Sequence, residues 1–184
     1  MNAGAGPEGA ELFGLILSEL QKEEDTGAPV KSVRVRCSRD AQALIPIYCA
    51  LGIEAEFTGV QGLPDDVFEL VSGCLSKHGV RVERRDGAVC CSGRLIPGYF
   101  NIPAEVSSAF VCGLLCALPL LRGFSVLSVF GKAQDGELVG SCEEFLRGSG
   151  IQFDKKGGTY IIPPDQKFIF PASSCLPDRP HFPI

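Results

Sequence analysis

Several signatures that would fix a chemistry are missing from this chain. No G-x-x-x-x-G-K-[ST] run occurs, so no nucleotide P-loop is expected. No C-x-x-C pair occurs and there are only two histidines, which removes the usual ligand patterns for zinc. His78 falls at a helix end and His181 in a proline-rich tail, so no Ser/His/Asp triad can be assembled. The longest strongly apolar run, residues 110–121, is too short to span a bilayer. The amino terminus lacks the basic start and apolar block of a signal peptide, and a soluble, cytoplasmic chain is the expectation. A net charge of −5 gives no electrostatic reason to expect nucleic acid or an anionic membrane as partner.

What is present suits one folded domain. The 184 residues are 45% hydrophobic and 21% charged, enough to bury a core. The nine cysteines do not read as a disulfide scaffold. Cys112 and Cys116 lie one helical turn apart on an apolar face, and Cys90 and Cys91 alternate across a strand, so reduced, mostly buried thiols are expected. Cys74 and His78 share a helix face, but two such residues do not make a metal site.

A unit of helix, glycine stop and short strand recurs at residues 47–57, 72–83 and 143–154, with Gly52, Gly79 and Gly150 at the left-handed closing position. A first helix is expected over residues 10–21, then a polar loop at 22–29 and a strand at 32–36. A helix over 67–77 would be capped by Asp65 and Asp66, and one over 136–147 by Asp135. Strand 88–92 is expected to pair with strand 99–102, and Gly157-Gly158 to form a hairpin turn. Arg81, Glu83, Arg84, Arg85 and Asp86 alternate in sign and suit a solvated strand face and turn, and Lys77 and His78 suit the dipole at a helix end. The pattern gives repeated α/β units with helices over one sheet face.

Residues 98–171, running GYFNIPAEVSSAFVCGLLCALPLLRGFSVLSVF and onward, resemble the 5-enolpyruvylshikimate-3-phosphate (EPSP) synthase family, and the resemblance extends upstream to about Cys37. It implies an α/β fold: one lobe of the enolpyruvyl transferase fold, built from βαβαββ repeats with helices packed on mixed sheets. Residues 1–184 would form that lobe, with the best resemblance at 37–171 and a proline-rich tail at 172–184. Family members carry two lobes of three repeats each, with substrates in the cleft between them.

The resemblance further implies that Ser107 and Ser108 hold a substrate phosphate where the family has Ser-Ser-Gln, with Ala109 in the glutamine's place. Apart from the resemblance, a serine here could simply cap the helix. Where the family has an anion-binding Arg-Pro pair, this chain has Pro64, Asp65 and Asp66. Residues 134–140 keep none of the Ser-x-Pro-Tyr-x-Asp motif, and the Gly-Ser/Thr-x-x-Arg run is reduced to residues 37–43, where Arg39 could contact a ligand.

Enolpyruvyl transfer must neutralise a phosphate and carboxylates and move protons at the methylene carbon. Between residues 101 and 145 the cations are Arg122 and Lys132, against Glu105, Asp135, Glu137, Glu143 and Glu144. The expectation is an EPSP synthase-like transferase lobe of the shikimate pathway, inactive in isolation, with no identified catalytic residue, metal or cofactor. Its partners would be shikimate-3-phosphate or another small anion, and a second lobe or a second copy. The alternative is a non-catalytic module derived from that fold, binding an anion or another protein.

Overall fold

The computed structural model describes residues 7–21, 30–103, 105, 107–131 and 136–169. The loop at 22–29, the cap at Asp135, Lys132, positions 134–135 of the degenerate motif and the tail with His181 lie outside the described residues.

The chain begins with helix α1 (Pro7–Gln21) and then runs twice through the same sequence of elements. The first repeat is β1 (Lys31–Arg34), α2 (Ser38–Leu51), β2 (Ala55–Thr58), α3 (Asp65–Ser76), β3 (Val80–Arg85) and β4 (Ala88–Gly93). The second is β5 (Tyr99–Pro103), α4 (Ser108–Ala117), β6 (Ser125–Phe130), α5 (Gly136–Gly148), β7 (Asp154–Lys156) and β8 (Thr159–Ile162). Each is a βαβαββ unit closing its own four-stranded sheet, in the orders β1-β2-β4-β3 and β5-β6-β8-β7. In both, the first two strands are parallel and the hairpin adds two antiparallel pairings. Among the described residues there are two such repeats and one extra helix, not the three repeats that a complete lobe would carry.

The hairpin turns follow from local chemistry. Asp86 and Gly87 both take positive φ, 49° and 81°, as a two-residue turn matched to strand twist requires. Gly157 does the same at φ 61°, so the expected Gly157-Gly158 turn is in place. Gly52 ends α2 at φ 75°, where its N–H bonds to the Cys49 carbonyl.

Other expectations need correction. Strands 88–92 and 99–102 do not pair: β4 lies between β2 and β3, whereas β5 opens the second sheet against β6. Asp65 and Asp66 are not caps but occupy the first turn of α3, whose N-cap is Pro64. The first strand spans Lys31–Arg34 rather than 32–36. After Gly150 the strand is delayed to Asp154, because Ile151 drops into the core and Gln152 trades hydrogen bonds with Gln166. His78 lies beyond the end of α3, stacked on Phe100 at 3.7 Å. Burial lowers its pKa against the opposing backbone hydrogen bonds, so the neutral ring is favoured, not the cation that a helix-dipole role needs.

The core sits between the sheets. Helices α2 and α4 are buried along nearly their whole length and pack on each other. Their approach is close because Gly113 faces Ala43: a Cβ on Gly113 would stand 2.4 Å from the Ala43 carbonyl oxygen. Amphipathic α3 packs on β3 through Val67, Val71 and Leu75, and α5 packs on α4. Helix α1 lays Leu12, Phe13 and Ile16 over α2 and α5, with Phe13 stacked on Phe145 at 5.2 Å. The described cysteines are free, as expected, and Cys49, Cys91, Cys112, Cys116 and Cys142 are buried. Cys142 is held well above the usual thiol range by its contacts with Cys112 and Cys116 and by burial, so it acts as a small core residue. Among the described residues no helix is long and apolar enough to cross a membrane, and no group of three or more His, Cys, Asp or Glu side chains could hold a metal ion.

Candidate functional site

The second through fifth helices all present their amino-terminal ends to one open cavity of about 330 Å³. Helix α2 contributes Ser38, Arg39 and Gln42, and α4 contributes Ser107, Ser108 and Ala109. Pro64 and Val67 of α3 and Leu138 of α5 complete the wall with apolar surface. The three site residues expected from sequence, Arg39, Ser107 and Ser108, are therefore neighbours of one cavity, although Arg39 lies more than sixty residues upstream.

A helix start carries free N–H groups and partial positive charge. At three of these helices the chain supplies its own compensating acid in the first turn: Asp40 in α2, Asp65 and Asp66 in α3, and Glu137 in α5. Two of these are themselves paired. Arg36 reaches Asp40 at 3.0 Å, and Arg84 pairs with Asp65 while also donating to the Leu63 carbonyl at 2.8 Å. Only α4, of the four, has no acid in its first turn. The charge reversal at Asp65 thus serves α3 and Arg84, and Asp65 is not part of the cavity wall.

The two serines at this start are not equivalent. Ser107 is the N-cap of α4: its Oγ accepts a 3.0 Å hydrogen bond from the Phe110 N–H and donates to Gln42 Oε1 at 2.5 Å. Its one proton is committed. Ser108 is the first residue of the helix, 9% exposed, and its Oγ is buried with no hydrogen-bond partner. A buried hydroxyl without a partner costs about 1–3 kcal/mol, so its retention marks a place where something else is needed. Among the described lining residues Arg39 supplies the only formal charge. Among the described residues the wall holds no carboxylate, histidine, lysine or tyrosine that could act as general acid or base.

Sequence reasoning missed Gln42 and Ser38. Gln42 had a signal, being the one polar residue in the apolar run Ala41–Ile45, and it is 8% exposed. It stands against Ser107 from a different helix than the one on which a glutamine was sought. Ser38 had no signal separate from an ordinary helix start.

An α/β repeat scaffold with four helix starts converging on one cavity is the class of protein these features define. Comparison with known proteins agrees. A 3-phosphoshikimate 1-carboxyvinyltransferase from Brachyspira hyodysenteriae is 32% identical over 112 residues, 59% of this chain and 26% of that protein. One from Clostridium kluyveri is 29% identical over 162 residues, 83% of this chain and 38% of its own length. Among solved structures, EPSP synthase from Acinetobacter baumannii superposes with a TM-score of 0.61 at 17% identity, covering 77% of this chain and 32% of that one. No family profile matches. In sequence and in fold the chain is EPSP synthase-like, and it spans about a fifth to two fifths of the length of the curated relatives it matches.

Proposed function

We propose that this chain, residues 1–184, forms an EPSP synthase-like lobe reduced to two repeats, and holds the phosphate of a small anionic substrate at the start of α4. The observation that carries the reading is the buried, unpartnered Ser108 hydroxyl at the one helix start of the four that lacks a compensating acid. The ligand that fits the likeness is shikimate-3-phosphate. Its phosphate would take the free N–H groups of the first turn and the Ser108 proton, with Arg39 supplying the opposite charge. Ser107, already bonded to Gln42, positions the helix start and joins α4 to α2.

The reaction of the relatives' name is transfer of a carboxyvinyl group to a phosphorylated shikimate. Here the cavity wall binds and orients; among the described residues it has no group to move protons at the reacting carbon. Turnover therefore requires a second lobe that adds cations and an acid–base pair, and the isolated chain binds without reacting. A cytoplasmic setting suits its free thiols.

Titration with shikimate-3-phosphate, followed by amide shifts in NMR with inorganic phosphate as control, tests this. Selective shifts at residues 107–110, lost in Ser108→Ala, are the expected result. No shift at millimolar ligand contradicts the proposal, and binding that stays inert when complementary lobes are supplied leaves only the non-catalytic anion module.

A further inference from the structure

The outer face of the second sheet carries exposed apolar side chains beside polar ones, where that of the first is charged. Outward positions on the first sheet include Arg34, Glu56, Arg81, Glu83 and Arg85, and Glu83 is flanked by Arg81 and Arg85, each at 2.5 Å. On the second sheet Tyr99 is 78% exposed, Phe124 67%, Phe130 55% and Ile161 46%. The register aligns Tyr99, Val126 and Ile161 in one row that ends at Asp154 on the edge strand. The next outward row is Asn101, Ser128 and Thr159, ending at Lys156. Exposed apolar area of this kind on a sheet marks an association surface.

The pattern itself names the occupant. Between the two outward rows runs an inward row, Phe100, Leu127, Tyr160 and Lys155. A two-fold axis laid along that inward row, in the plane of the contact, would bring each row opposite the other row of a second copy. Asp154 would then meet Lys156, and Phe124 would meet Phe130, twice each by symmetry. A surface that matches its own image under a two-fold is what an isologous contact requires.

We propose that this face docks a second copy of the chain, sheet against sheet, with Asp154 and Lys156 pairing across the contact and Phe124 and Phe130 closing its two ends. Two sheets packed in this way lie about 10 Å apart, with side chains interdigitated. The cavity at the helix starts has no lining residue on this face, so the contact and anion binding are separate properties.

Sedimentation of the full chain over a wide concentration range tests the contact. The wild-type chain should be a concentration-dependent dimer. Ile161→Lys should weaken it at least about tenfold, because it places charge in the apolar row. Asp154→Lys and Lys156→Asp should each weaken it by about three- to tenfold, since like charges then face each other, and the double swap should restore the wild-type value. Ser32→Lys, on the outer face of the first sheet, should change nothing. All four positions are on sheet exteriors, and circular dichroism checks that each variant folds. A chain that stays monomeric at millimolar concentration overturns the proposal. A dimer that ignores Ile161→Lys, or a double swap no better than the singles, overturns it as well.

Discussion

The two repeats have one topology and opposite economies of charge. In the first, acids sit in the first turns of both helices and the outer sheet face is a lattice of arginine and glutamate. In the second, α4 has no acid at its start and the outer face carries exposed aromatic and aliphatic side chains. Strand order and register direction are the same in both. Backbone architecture is thus set by the shared pattern of strands, glycines and buried helices, while the chemistry is carried by residues that the architecture leaves free to vary. Among the described residues the first repeat pairs its charges internally, while the second has a helix start without an acid and a sheet face with exposed apolar side chains.

The sharpest way to break the comparison is at the seam between repeats. Gly113→Leu forces a side chain into the Ala43 carbonyl, so α2 and α4 must separate. A loss of about 3 kcal/mol or more is expected in urea unfolding, up to failure to fold. A loss below 1 kcal/mol would show that the helices part easily and that the repeats do not share one core.

Next in size are the buried carboxylates, one tying down each repeat. Glu143 of α5 accepts hydrogen bonds from Tyr160 at 2.7 Å and Lys155 at 2.6 Å. Glu19 of α1 accepts one from Tyr48 at 2.5 Å, joining α1 to the first repeat. Glu143→Ala leaves the Tyr160 hydroxyl unpaired inside the protein and should cost about 1–3 kcal/mol. Burial alone would raise the Glu143 pKa, but the hydrogen bonds from Lys155 and Tyr160 and the charges of Lys155 and Arg147 outweigh it, and the pKa is lowered. Its contribution is therefore full above the ordinary carboxylate value of 4.5 and is lost as pH falls through the folded value. Unfolding measured against pH should show that acid-side loss in the wild type and not in Glu143→Gln. Glu19→Ala should instead free α1, seen as faster amide exchange in residues 9–21.

A smaller effect belongs to His78, which bridges the repeats by stacking on Phe100 of β5. Its pKa is lowered chiefly by burial, so the unfolded chain binds the proton more readily than the folded one. Stability should be level above pH 6.5 and fall as the pH drops below it. His78→Gln should flatten that slope. A slope that survives the substitution assigns it to other groups.

Much of this was legible in the sequence, for reasons that are local. A glycine after an apolar helix announces its stop, as at Gly52, and a Gly-Gly pair between alternating residues announces a hairpin, as at 157–158. Alternation also placed Cys90 and Cys91 on opposite faces correctly, with Cys91 buried and Cys90 partly exposed. Partnership between strands was not legible. Alternation says that 88–92 and 99–102 are strands and Pro97-Gly98 marks a break between them, but nothing local says that the second strand joins another sheet. The site was half legible. Ser107 and Ser108 were visible together, but only the fold separates them, binding one to Gln42 and leaving the other unpartnered. The role of Asp65 was hidden too, because its partner Arg84 is nineteen residues away.

Ser108→Ala is the substitution on which the account turns, because the same change should raise stability and remove binding. Thermal unfolding of the wild type and of Ser108→Ala, each with and without phosphate, reads both at once. Removing a buried, unpartnered hydroxyl should stabilise the unliganded chain by up to about 1 kcal/mol and abolish the upward shift that phosphate gives the wild type. A variant that is less stable, or that keeps the full phosphate shift, would show that Ser108 is an ordinary helix residue and that no anion site remains at the start of α4.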